Sequence, residues 1–253
     1  MRRLRITLAM TAAVALVATT GAVSVARPAT ASSADLSSLR GKVILIDPGH
    51  NGANWSHPGT INKRVWVVNR YKTCDTTGTA TNKGYPESAF TFDVATRLAK
   101  LLRAAGAKVV LTRQNNHGVG PCITERAAIG NRAHADAAIS IHGDGGPARG
   151  YGFTVAQPAS VGPNAAIIKP SHRLALALRD VYRAVTGEPV ANYYGKQGIL
   201  TRTDLGGLNL SKVPKVFIEC GNMRNSADAA RMTNPAWRQR AAQGLELALA
   251  RYL

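Results

Sequence analysis

Two histidines and two glutamates stand in this sequence where their chemistry can be used. His50 closes Asp47-Pro48-Gly49 after the apolar run Lys42–Ile46, His142 follows Ala137–Ile141, Glu219 follows Val216-Phe217-Ile218, and Glu87 opens a stretch of helical periodicity. Two imidazoles and a carboxylate on separate elements suit a catalytic zinc ion, which takes three protein ligands and leaves a fourth position for water. A further carboxylate then acts as general base toward that water and passes the proton to the leaving group. Taken singly, each residue has a plainer use. A histidine after a strand can make a local loop hydrogen bond, a glutamate at a helix start suits the helix dipole, and Asp47 can close a turn with Pro48 and Gly49. Glu219 is harder to explain that way, because a carboxylate ending an apolar strand is costly to desolvate unless it is paired or metal-bound.

The elements that must position these residues alternate regularly. Lys42–Ile46 reads as a buried strand running into a loop. Residues 51–86, polar and rich in Gly, Asn and Thr with apolar material only around Val65–Val68, read as a long insertion with room for one strand. From Glu87 to Ala105 the apolar residues Phe90, Val94, Leu98, Leu101 and Leu102 recur at helical spacing, and Gly106 stops the helix. Further strands are expected at Lys108–Thr112, Ala137–Ile141, Gly150–Ala156 and Lys215–Ile218, and further helices at Thr124–His134, His172–Val185 and Trp237–Tyr252. This alternation predicts an α/β fold, a single domain whose largely parallel twisted sheet carries helices on both faces. Such sheets bind ligands at the carboxyl ends of their strands, which is where His50, His142 and Glu219 fall, so the zinc site is expected there.

The chain has 253 residues, 45% of them hydrophobic, and 32 Lys+Arg against 14 Asp+Glu give it a formal charge of +18. The apolar share excludes a wholly disordered chain, and the confinement of long uncharged apolar sequence to the N-terminus excludes a many-span membrane protein. Arg2, Arg3 and Arg5, the apolar run from Ile6 to Ala26, and Ala29-Thr30-Ala31 read as a signal peptide cleaved before Ser32. An uncleaved membrane anchor is the alternative. The expected division is residues 1–31 signal peptide, 32–40 a short N-terminal segment and 41–253 the catalytic domain. Cleavage leaves 222 residues with a charge of +14 and no stable membrane anchor, and it places the protein in the periplasm or cell wall. An exported chain this basic, its cations scattered rather than interleaved with aromatics, is matched to anionic cell-envelope polymers and not to nucleic acid. A merely solubilising surface is the alternative. A monomer is expected.

The ordered segments Ile44-Leu45-Ile46-Asp47-Pro48-Gly49-His50, Glu87, Leu111-Thr112-Arg113, Glu125-Arg126 with Asn131-Arg132-Ala133, Ile139-Ser140-Ile141-His142 and Val213-Pro214-Lys215-Val216-Phe217-Ile218-Glu219 carry a resemblance. The sequence resembles the zinc-dependent N-acetylmuramoyl-L-alanine amidases, autolysin-type enzymes that cut bacterial peptidoglycan, from about residue 42 to the C-terminus. The resemblance implies one zinc ion held by His50, Glu87 and His142, with Glu219 as the catalytic acid/base. It implies peptidoglycan or muropeptide fragments as substrate, cut between the lactyl group of N-acetylmuramic acid and L-alanine of the stem peptide. Arg126 matches a family arginine and reads as structural, a helix-to-loop ion pair. Two departures stand out. The family's Ala-Asn after the second histidine is Gly143-Asp144 here, which adds a carboxylate near the metal, either touching a ligand or merely solvated. Its Gly-Phe after the catalytic glutamate is replaced by Cys220-Gly221-Asn222, with smaller groups in place of an aromatic lining. No long acidic helix stands between residues 143 and 215, so an enzyme open without an activator is expected, with Thr203–Asn209 as candidate substrate wall.

Cys74 and Cys122 lie in polar loops, and export favours their bridge among the three possible single pairings. Such a bridge is worth about 2–4 kcal/mol. Cys220 reads as a small packed thiol, and no local histidine supports a nucleophilic role for it. His57 is the rival ligand, while His117, His134 and His172 read as solvent-facing. Two other functions fit the same features, a catalytically silent basic wall-binding protein and a zinc peptidase cutting within the stem peptide. The presence of all four site residues disfavours the first, and the amidase segments disfavour the second.

Overall fold

A computed structural model describes residues 35–253, so the signal-peptide reading of residues 1–31 lies outside the described residues. Among the described residues the strands are β1 (Val43–Pro48), β2 (Arg64–Trp66), β3 (Tyr71–Thr73), β4 (Lys108–Leu111), β5 (Ala137–Asp144), β6 (Thr154–Pro158), β7 (Ile199–Arg202) and β8 (Lys215–Asn222). The helices are α1 (Pro58–Ile61), α2 (Glu87–Ala104), α3 (Ile123–Arg132), α4 (Ile168–Thr186), α5 (Gly206–Asn209), α6 (Ser226–Thr233) and α7 (Pro235–Tyr252). Six strands form one sheet in the order β4-β1-β5-β8-β6-β7, and β2 and β3 pair separately as an antiparallel hairpin. The sheet is parallel from β4 through β8; β6 runs antiparallel to β8, and β7 runs parallel to β6. This is the single α/β domain with a mostly parallel sheet that the alternation of elements predicts.

The pleat divides each strand between two faces. Ile44, Ile46, Ile139, Ile141, Val216 and Ile218 point to one face and join a continuous apolar core with α2, α4 and α7. Phe90, Val94, Leu98 and Leu102 recur at four-residue spacing to form the stripe by which α2 enters that core, and Gly106, at φ +88°, turns the chain out of the helix. Asn234 caps α7 by accepting from the Ala236 and Trp237 amides, with Pro235 in the first turn. On the opposite face Leu45, Ala138 and Val213 make a smaller core against Ile129 of α3. Helices therefore cover both faces, but the second face is covered only in part.

Several boundaries differ from the sequence expectation, and one difference bears on the site. The strands expected to end at Ile141 and Ile218 run on to Asp144 and Asn222, because His142 pairs with Glu219, and Asp144 with Asn222 beyond a bulge. His142 and Glu219 therefore lie within paired strands, on a sheet face near the carboxyl ends, and not in loops beyond them. A polar residue on an open face ends an apolar run without ending the backbone pairing. The expected strand Gly150–Ala156 begins only at Thr154, β2 falls where the apolar Val65–Val68 offers a strand in the long insertion, and β3, β7 and α6 have no counterpart in the sequence reading. Cys74 and Cys122 are disulfide-bonded, and Cys220 is a free, buried thiol.

Candidate metal centre

The open part of the second face is polar, and the strand register arranges it in rows. Asp47, Ser140 and Phe217 pair across β1, β5 and β8, with Ala156 of β6 continuing the row. One pleat further on, His142 of β5, Glu219 of β8 and Thr154 of β6 form a second row. His50, just past β1, adopts φ +57°, and Glu87 reaches in from the first turn of α2. Gly49 lies so close to the His142 ring that a side chain at this position would collide with it.

Glu87 is the hub. Its Oε2 lies 3.1 Å from His50 Nε2, and its Oε1 lies 2.9 Å from His142 Nδ1. Backbone amides of Thr79 and Gly143 donate to the same two oxygens at 2.9 and 3.1 Å. The His142 ring stacks on Phe217 with centroids 3.9 Å apart. His50 Nδ1 lies 3.0 Å from the Thr76 carbonyl and 3.3 Å from Asp75 Oδ1. These acceptors place the proton on Nδ1 and leave Nε2 facing the cluster. One donor atom from each of His50, Glu87 and His142 lies within 4.8 Å of the others.

Beneath the cluster runs a buried ionic network. Arg126 donates to Asp47 Oδ1 at 2.9 Å, to the Pro48 and His50 carbonyls at 2.7 and 3.0 Å, and to Asp75 Oδ2 at 3.3 Å. Lys215 Nζ lies 3.1 Å from Asp47 Oδ2, which also accepts from Ser140 Oγ at 2.6 Å. Asp47 is thus a buried strand residue joining two cations, not a turn-closing one. Asp75 follows Cys74 directly, and Cys122, the other half of the disulfide, caps the helix that carries Arg126.

The protonation of the cluster follows from its charges. Burial alone would lower the His50 pKa, but Glu87 beside it, with help from Asp75, carries it up to about 10. Burial opposes ionisation of Glu87, yet His50 and His142 pull its pKa well below the usual carboxylate range. His142 is shifted down, chiefly by burial. Burial lifts Glu219 well above the usual range, and the Glu87 and Asp144 carboxylates push the same way. Glu219 Oε2 is buried without a hydrogen-bond partner. Two imidazoles and a carboxylate converging on one point, beside an unsatisfied carboxyl oxygen, fit a divalent cation of the zinc type with its accompanying water.

All four residues singled out from the sequence come together here. His57 does not: it is exposed, and its Nδ1 lies 2.9 Å from the Ala53 carbonyl. Leu205–Leu208, within the expected substrate wall, line the cavity of 330 Å³ over the cluster. Sequence reasoning missed Asp75, Lys215 and Thr154. A charged residue directly after a bridged cysteine is a usable signal for Asp75; for a lysine and a threonine in apolar strands no local signal exists.

Fold and site together define an α/β protein with a His-Glu-His metal-binding geometry on the exposed part of its sheet. The N-acetylmuramoyl-L-alanine amidase family profile matches residues 44–251, and the chain belongs to this family. It is 42% identical over 223 residues to the N-acetylmuramoyl-L-alanine amidase Rv3717 of Mycobacterium tuberculosis, covering 88% of this chain and 90% of that one. The crystal structure of the N-acetylmuramyl-L-alanine amidase Ami1 from Mycobacterium smegmatis is similar with a TM-score of 0.80 and 39% identity, over 85% of this chain and 97% of that one. The apo form of Ami1 from Mycobacterium abscessus is similar to the same degree, with a TM-score of 0.80 and 41% identity over 84% of this chain and 99% of that one.

Proposed function

We propose that the chain is an exported peptidoglycan amidase that hydrolyses the bond between the lactyl group of N-acetylmuramic acid and L-alanine of the stem peptide. His50, Glu87 and His142 hold one zinc ion, and Glu219 is the acid/base. The observation that carries this reading is the convergence of three donor atoms within 4.8 Å, beside the buried, unpartnered Oε2 of Glu219. When bound, zinc supplies Lewis acidity to a carbonyl oxygen and lowers the pKa of water toward about 7.

The chain's own groups do the rest. Thr76 and Asp75 fix the His50 tautomer, and Phe217 holds the plane of the His142 ring by stacking. The Thr79 and Gly143 amides keep both Glu87 oxygens oriented without adding charge. Glu219 lies one strand from His142 and has no competing hydrogen bond on Oε2. With a bound cation offsetting the burial and the two carboxylates that raise its pKa, Glu219 would take a proton from the attacking water and deliver it to the departing alanine nitrogen.

Residues 1–31 act as the export signal in this reading, and the excess of cations draws the protein to anionic envelope polymers, an attraction that salt weakens. The test is digestion of purified muropeptides with mass analysis of products, beside Glu219→Ala and a chelated control. Free stem peptide beginning at L-alanine, absent from both controls, is the expected result. Fragments cut inside the peptide would replace this reading with a peptidase, and intact muropeptides would replace it with a wall-binding protein.

A further inference from the structure

The groove continues past the His-Glu-His cluster into a second cavity of 420 Å³ toward β6 and β7. Thr154 and Tyr193 line only this second cavity, whereas Asp144 and Glu219 line both. The register gives the groove a direction. His142 pairs with Glu219, and Glu219 with Thr154, so three side chains on one face stand a strand spacing of about 4.8 Å apart. The row runs from a candidate metal ligand, through the acid/base, to Thr154.

Two features of the second cavity have no use in the chemistry described so far. Thr154 is 1% exposed, and its Oγ1, like Glu219 Oε2, has no hydrogen-bond partner. Asp144 is the other. Among the carboxylates lining the two cavities, Asp47 and Asp75 are paired with Arg126, and Glu87 with two imidazoles. Asp144 has only neutral donors, the Gly145 amide and the Tyr193 hydroxyl. Burial and Asp144 itself raise the Tyr193 pKa, so that hydroxyl remains a donor. Arg202 also lines this cavity, but its guanidinium is held by both oxygens of Asp204, so Asp144, beside two unsatisfied oxygens, offers acceptors for the three N–H groups of a primary ammonium.

Hydrolysis of the amide generates that group. Water's oxygen bonds to the lactyl carbonyl carbon, the C–N bond breaks, and both water protons end on the nitrogen, leaving a carboxylate and an ammonium. We propose that the second cavity receives the newly formed alanyl ammonium, with Asp144 as its counter-charge. The stem peptide then extends toward β6 and β7, and the muramyl half lies over the metal-side cavity, beside the β2–β3 hairpin. This assignment rests on the amidase reading for the direction of the substrate.

The test is a binding titration of the zinc-supplemented protein with three synthetic stem peptides. One begins with free L-alanine, one is its N-acetylated counterpart, and one has the free α-amine but no side-chain amine. Both free α-amine peptides are expected to bind at least roughly tenfold tighter than the acetylated one, the scale of one hydrogen bond to a charged group. Asp144→Asn is expected to abolish that difference while zinc binding, measured by chelator competition, persists. Thr154→Val, close in shape, is expected to reduce it by a smaller factor and serves if the Asp144 variant fails to fold. Equal binding of free and acetylated peptides, discrimination surviving in Asp144→Asn, or discrimination that follows the side-chain amine would each overturn the proposal. Muropeptide cleavage without discrimination removes the amine site and leaves the amidase; discrimination without cleavage does the reverse.

Discussion

On one face of the six-stranded sheet Ile44, Ile46, Ile139, Ile141, Val216 and Ile218 meet three long helices in a continuous apolar core. The residues between them in sequence point the other way. There Leu45 and Ala138 give a small core under α3, and Asp47, Ser140, Phe217, His142 and Glu219 lie beyond it. The first face fixes the register, since a slip of one residue would drive every isoleucine into the groove and every charge into the core. The second face inherits its geometry from that register, and among its polar residues Asp47 contributes to stability through its buried pairing with Arg126 and Lys215. It carries a Glu219 oxygen buried without a partner, which costs stability, next to a Glu87 carboxylate held between two imidazoles.

This contrast can be broken by experiment. Glu219→Gln on the polar face is expected to lower turnover by about 10²–10⁴-fold, the usual worth of a general acid/base. Its melting temperature should match or exceed the parent's, because a buried carboxyl facing the Glu87 and Asp144 carboxylates gives way to an uncharged amide; muropeptide digestion and calorimetry check both. A large loss of stability instead would mean that Glu219 itself helps to hold the fold. Asp47→Ala is expected to cost about 3–5 kcal/mol, because Lys215 and Arg126 are left buried and unpaired. That pair also sets a pH dependence. Burial would raise the Asp47 pKa, but Lys215 and Arg126 hold it well below the usual range. Its contribution to stability is therefore complete above the unfolded value of about 3.9 and is lost as pH falls through the folded value. Denaturant titration across acid pH should show a loss that is absent in the variant.

Ile218→Ala on the dry face is expected to cost about 2–5 kcal/mol in stability while leaving zinc affinity unchanged at temperatures where the protein stays folded. A change in affinity would show that the two faces are coupled more tightly than a rigid sheet allows. The smallest effect belongs to Asp75→Asn, which keeps the shape beside His50 but loses the charge. Zinc affinity measured by chelator competition should fall about 10–100-fold, with a lower unfolding temperature as well, because buried Arg126 loses one of its two carboxylate partners. An unchanged affinity would assign the orientation of His50 to the Thr76 carbonyl alone.

The four site residues were legible because each follows or opens a local pattern: His50, His142 and Glu219 after apolar runs, Glu87 at the start of a helical stripe. The extent of their strands was not, since polar residues on an open face look like the end of a strand. Alternation in Val43–Pro48 and Lys215–Asn222 shows which residues share a face, but it does not say which strand lies beside which. Asp75 and Arg126 are far apart in sequence and meet only through the loop joined by Cys74 and Cys122. Lys215 heads an apolar strand in sequence, and only the order β1-β5-β8 brings its amine to Asp47.

The sequence by itself determined the kinds of element, the two faces of each strand, the candidate ligands and the excess of positive charge, because all of these depend on residue type and spacing along the chain. The tertiary structure alone decided that His142, Glu219 and Thr154 form one row, that Glu87 bridges two imidazoles, and that Asp144 is without a cation. These depend on the register between distant strands, which is set by the packing of the opposite, apolar face.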